Sequence, residues 1–175
     1  MSISTPTNDF FERLRRTVVP PLGTVVQFIN ELGGLDLYVT GSSRSNEFVG
    51  RVAMSEEAFE KELEVMGLTR NPLASLKKLP STGEVEEGSF RWVPGPNDSR
   101  DQSKQLHVII YDGSDIPDAD TGYTYVYSHW EYRWDTHPIK HYRAVDQDIE
   151  QGVEMMQNKL DAHGTEYDDV PPSGE

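Results

Sequence analysis

The sequence predicts an α+β fold, a single domain in which a mostly antiparallel sheet of about five strands is covered on one face by helices. Three observations carry that reading. Residues 121–143, TGYTYVYSHWEYRWDTHPIKHYR, alternate at period two and are rich in tyrosine, threonine, valine and tryptophan, the residues that suit a strand. Val145, Ile149, Val153, Met156 and Leu160 step by three or four residues, as on one face of a helix that has a sheet to cover. Several other short β-rich segments are bounded by turn-rich stretches such as GSSRSN, PGPNDSRDQSK and DGSDIPDADTG.

A chain of 175 residues is one domain in the simplest reading, large enough to bury roughly 70% of its unfolded surface. Residues 1–163 are assigned to that domain. Residues 164–175, GTEYDDVPPSGE, are acidic and proline-rich and are expected to be a disordered tail. No cysteine is present, which excludes disulfides, thiolate metal ligands and a cysteine nucleophile.

The formal net charge is −14 and the acid is spread along the whole chain. Such a composition is similar to that of cytosolic proteins of salt-accumulating halophiles, whose charged surfaces stay soluble while salt screens self-repulsion. It also argues against nucleic acid as a partner, because affinity for phosphates comes from lysine and arginine displacing counterions. The N-terminus lacks a basic region followed by an apolar run, and no segment has the length and apolarity of a membrane span. A cytoplasmic location without membrane attachment is therefore expected.

Taken in order, Asp9 and Glu12 open a helix with Phe10 and Leu14 on its apolar face, and Pro20 and Pro21 stop it. A second helix runs from about Val25 to Leu32 and ends at Gly33 and Gly34. Strands are expected near residues 36–40 and 47–53. Ser55 caps a helix carrying Phe59, Leu63 and Met66, closed by Gly67. Asn71 and Pro72 start a short helix with Leu73, Leu76 and Leu79. Strands near 88–93 and 105–111 follow, then the aromatic strand near 122–134, with Pro138 marking its exit. Asp146 is a plausible cap for the last helix, Gly152 would let that helix approach closely, and Gly164 ends it.

The alternation of the aromatic strand sorts its side chains into two sets. Val126, Trp130 and Trp134 are expected to face the interior. Tyr123, Tyr125, Tyr127, His129, Glu131 and Arg133 are expected to form an amphipathic face turned outward. Such a row offers rigid contact area at low entropy cost, so it is the expected binding surface for an unidentified protein or small-molecule ligand, a second copy of this chain included.

Two further readings compete with binding. His129, Glu131, Asp135, His137 and His141 are ligand types for zinc or a similar ion, and His129 with a carboxylate could serve as an acid–base pair, so a histidine/carboxylate-centred metal-dependent hydrolase is the first alternative. The spacing argues against it: Pro138 disfavours a helical pair of His137 and His141, and no HExxH, GxSxG, phosphate-loop or GxGxxG pattern occurs. No cofactor is thus implied, and His129, His137 and His141 stand as the weak candidates for metal. Asp112, Asp115, Asp118 and Asp120 imitate a calcium loop only in part. The second alternative is DNA binding, because two helices before probable hairpin strands resemble a winged helix-turn-helix; the second helix offers only Arg70, Lys77 and Lys78, and the first is acidic.

Overall fold

The computed structural model of the chain describes residues 42–71, 77–79, 88–116 and 119–172. The expected helices near 9–18 and 25–32, the strand near 36–40, and the start of the helix after Asn71 lie outside them. Within the described residues the fold is α+β, as its periodicities predict. Six strands, β1 (Phe48–Val52), β2 (Thr69–Arg70), β3 (Gly88–Trp92), β4 (Lys104–Asp112), β5 (Thr124–Tyr132) and β6 (Tyr167–Asp168), form one sheet in the order β2-β3-β4-β5-β1-β6. Every neighbouring pair is antiparallel.

β4 and β5 are the two longest strands and lie at the centre, paired from Lys104↔Tyr132 to Asp112↔Thr124. One face of the sheet carries Val52, Phe90, Leu106, Val108, Ile110, Val126 and Trp130, packed against α1 (Glu56–Val65) and α3 (Ile149–His163). Phe59 and Leu63 on α1 and Met156 and Leu160 on α3 are fully buried there, so the apolar stripes read from the sequence do meet the sheet. Ser55 occupies the N-cap position of α1, and Gly164 ends α3 in the left-handed conformation at φ 68°.

Gly152 explains how closely α3 approaches. A Cβ built on it would fall 2.2 Å from the Cα of His129 and 2.5 Å from the N of Trp130, so the helix backbone lies directly on β5. The helix starts two residues later than the sequence suggests. Its cap is Asp148, whose carboxylate accepts from the N–H of Gln151 at 2.9 Å, while Asp146 lies in the preceding turn.

Several expectations are corrected. β5 ends at Tyr132, and Trp134 sits beyond it in a turn, with the Arg91 guanidinium 5.0 Å from its ring centre. Pro138 does not exclude helix. It opens the short helix α2 (Pro138–Tyr142), because the first helical position needs no backbone N–H. Residues 77–79 are not helical: Ser42 and Lys78 form a parallel β-bridge. Thr69 and Arg70 are strand, so Arg70 does not belong to the second helix of the winged-helix pattern, whose residues 72–76 lie outside the described residues. Nor is the chain beyond Gly164 a free tail through its described length. Tyr167 and Asp168 pair with Val52 and Arg51, and Arg51 Nε donates to Asp168 at 2.6 Å. The side chain of Tyr167 packs over Gly50, where a Cβ would meet it at 2.7 Å.

Candidate metal centre

The second face of the sheet changes character along β4 and β5. At one end Ile109, Tyr111, Tyr125 and Tyr127 pack with Leu79 and Ile116. At the other, the register sets His107 opposite His129 and Gln105 opposite Glu131. Residues two apart on a strand share a face. All four side chains therefore gather at one place.

They are buried without exception: His107 is 7% exposed, Glu131 1%, and His129 and Gln105 not at all. His107 Nδ1 lies 3.1 Å from His129 Nε2 and 2.9 Å from Glu131 Oε1. His129 Nε2 lies 3.3 Å from Glu131 Oε2. Donor atoms on neighbouring corners of a tetrahedral zinc site are roughly 3.3 Å apart, given bonds of about 2.0–2.1 Å. The two imidazole nitrogens have about that spacing, each meets a different oxygen of Glu131, and one ligand atom from each of the three groups lies within 4.8 Å of the others.

An outer ring of partners holds them. Ser89 Oγ is 2.7 Å from His107 Nε2, on the far side of the ring from the cluster. A hydroxyl can donate or accept, so His107 can turn either a proton or a lone pair inward. Glu47, fully buried in the turn before β1, places Oε1 3.3 Å from His129 Nδ1. A carboxylate behind an imidazole whose other nitrogen faces the site is the arrangement that fixes tautomer and raises ligand basicity. His141 on α2 brings Nδ1 to 3.1 Å from Glu131 Oε1 and 3.2 Å from the Tyr132 carbonyl. Gln105 Nε2 donates to Glu131 Oε1 at 3.2 Å, and Gln105 Oε1 is buried with no hydrogen-bond partner among the described residues.

The electrostatics follow from burial and from these neighbours. Burial pushes His107 down to about 4, against the pull of Glu131. Burial would lower His129 too, but Glu131 and Glu47 outweigh it and raise its pKa. Burial alone would raise Glu131, and the two imidazoles instead hold it well below the usual carboxylate range. The two imidazoles can share an N–H···N hydrogen bond at 3.1 Å, and the buried Glu131 carboxylate beside them calls for a positive partner. A proton on His129, whose pKa is raised, supplies it, and a divalent ion could take that proton's place.

Of the residues singled out from the sequence, His129, Glu131 and His141 belong to this cluster. His137 does not: it precedes α2, half-buried, with Nδ1 on Thr136 Oγ1 at 3.0 Å. Arg133 forms an ion pair with Asp135 at 2.8 Å. Tyr123 is half-buried with the Arg51 guanidinium 4.4 Å from its ring centre. Tyr125 and Tyr127 are 1% and 0% exposed, so they form no outward face. Asp112 accepts from the N–H of Ser114 and Asp120 pairs with Arg51, so these two carboxylates are committed to local contacts; Asp118 lies outside the described residues. Glu47, Ser89 and Gln105 were not singled out, and a lone histidine at position 107 reads from the sequence as a hydrogen-bonded sheet residue more readily than as a ligand. His107 carried a signal, as a polar residue interrupting an apolar strand, but only the register shows which residue faces it.

No family model matches the chain, and no curated protein or solved structure matches it significantly.

Proposed function

We propose that the protein binds a divalent transition-metal ion, zinc or one of similar preference, between His107 Nδ1, His129 Nε2 and Glu131. The observation that carries this reading is the convergence of those ligand atoms, all within 4.8 Å of one another, in a buried site. Nitrogen and oxygen donors without thiolate favour zinc, cobalt, iron or manganese over copper(I), and calcium would want more oxygens. Three protein ligands leave a fourth position for water. A bound ion would lower the pKa of that water and polarise a carbonyl or phosphoryl oxygen, so metal-dependent hydrolysis is the chemistry the ligand count suits. The buried, unpartnered Gln105 Oε1 beside the cluster is suited to accept a hydrogen bond from such a water.

The test is metal analysis of protein purified without a tag, followed by zinc titration against a chromophoric chelator. One equivalent bound by the native chain and none by Glu131→Gln or His129→Ala supports the centre. Equal uptake by all three chains refutes it.

The expectation of an outward aromatic binding face loses its motive, because Tyr125, Tyr127 and His129, which would form its centre, are covered. No helix among the described residues is long and apolar enough to cross a membrane. The spread of acid over the chain supports a proposal of adaptation to a salt-rich cytoplasm.

A further inference from the structure

We infer that Ser89 is a positioning residue for the centre: its hydroxyl accepts the hydrogen that His107 must carry on Nε2 when Nδ1 binds an ion. This rests on the metal reading above. A ligating imidazole is neutral and has one ring hydrogen, so the nitrogen that coordinates leaves that hydrogen to the other side of the ring. On that side the structure gives His107 one partner, Ser89 Oγ, 2.7 Å from Nε2. Both residues are buried, and a buried N–H without an acceptor is costly.

The kind of partner matters as much as its place. On the inner side, Nδ1 has Glu131 Oε1 at 2.9 Å, which can only accept when ionised, and His129 Nε2 at 3.1 Å, which can donate. With the hydrogen on Nδ1, His107 donates to Glu131, and Nε2 accepts from the Ser89 hydroxyl. With the hydrogen on Nε2, the hydroxyl turns and accepts it, and Nδ1 offers its lone pair to His129 or to an ion. A backbone carbonyl in the place of Oγ would serve the second form alone, and a backbone N–H the first alone. The serine therefore leaves His107 fully partnered both without an ion and with one.

The backbone fixes where the hydroxyl stands. Ser89 lies in β3 and pairs with Ile109 of β4, the strand that carries His107. At its other edge, the Ser89 carbonyl accepts from the N–H of Asn71 at 2.7 Å. Oγ thus reaches the ring from a strand held on both sides.

Zinc is the probe, used on the native chain, Ser89→Ala and Ser89→Thr. Affinity is read by competition with a chelator, and the protonated nitrogen of His107 by NMR of the ring nitrogens. In the zinc-loaded native chain Nε2 should carry the hydrogen and Nδ1 the ion. Ser89→Ala should still take up zinc, but about tenfold or more weakly, the scale on which outer partners act on metal sites. Ser89→Thr keeps a hydroxyl and should recover most of that loss. A hydrogen on Nδ1 in the zinc-loaded native chain, an unchanged affinity in Ser89→Ala, or an equal loss in both variants overturns the inference while leaving the centre intact. Absence of zinc uptake by the native chain removes the centre, and the inference with it.

Discussion

His107 Nδ1 and His129 Nε2 face each other at 3.1 Å across a register pair of the two central strands, with the carboxylate of Glu131 beside both. Their positions are set by backbone pairing and not by flexible loops. The chemistry of the protein, as proposed, depends on what positive charge occupies the space among them.

That dependence gives metal binding a definite pH profile. His129 has a raised pKa, so it carries a proton near neutrality that an ion must displace. Zinc affinity is expected to strengthen as pH rises toward the raised pKa, and binding near neutral pH should release protons. Calorimetry in buffers of different ionisation enthalpy measures the release directly; a pH-independent affinity from pH 6 to 8 would contradict the assignment.

Stability of the metal-free chain should respond in the opposite range. His107 is held down to about 4 from 6.5, so between those values the unfolded chain takes up a proton that the folded chain refuses. Stability is then lost as pH falls from 6.5 to about 4, by an amount on the order of 3 kcal/mol. Glu131, depressed well below 4.5, loses its contribution only at still lower pH. His129, raised, contributes fully below 6.5 and fades as pH climbs through its folded pKa. Urea unfolding of metal-free protein at pH 7, 5.5 and 4.5 reads this out, and Glu131→Gln should shift the pH dependence.

Gly152→Ala should be among the most damaging single-methyl changes available. Its Cβ would lie 2.2 Å from the His129 Cα, against backbone that cannot rotate away. The helix would have to lift from the sheet, at a cost of about 3 kcal/mol or more. Because the displaced strand carries His129, zinc affinity should fall along with the midpoint of thermal unfolding. A variant as stable as the native chain would show that α3 does not sit where it is described.

Ala144→Gly should do the reverse. Left-handed backbone costs an L-residue roughly 1–2 kcal/mol, and glycine returns part of that gain through the entropy of the unfolded chain. A net stabilisation of about 0.5–1 kcal/mol is expected from denaturant titration. A loss of similar size would mean that φ at this position is not the 49° observed.

Salt provides a separate test of the acidic surface. With a formal net charge of −14, self-repulsion should weaken as ions screen it, so the unfolding midpoint should rise from low salt to molar KCl. A flat or falling midpoint would remove the proposal of halophilic adaptation without touching the metal centre.

How far the sequence could be read follows from the range of each interaction. β5 was legible because alternation is local, and α3 because its stripe, cap region and Gly164 are local too. The side of the sheet on which Trp130 falls was legible for the same reason. The fate of Tyr125 and Tyr127 was not, since whether a face is covered depends on residues such as Leu79 and Ile116, distant in sequence. The pairing of His107 with His129 was hidden for a similar reason: it depends on strand register, and a slip of one residue would have placed them on opposite faces. His141 was discounted on account of Pro138, which opens α2 instead of preventing it. Tyr167 was lost to composition, because a polar stretch gives no sign that two of its residues will add an edge strand.

The most direct measurement is the zinc stoichiometry of the full chain, isolated without a tag and titrated at pH 7.5 beside Glu131→Gln. One ion per chain, abolished by the substitution while the variant keeps its far-ultraviolet circular dichroism, is the predicted result. A folded native chain that takes up no ion, or a folded variant that takes up as much as the native chain, would contradict it.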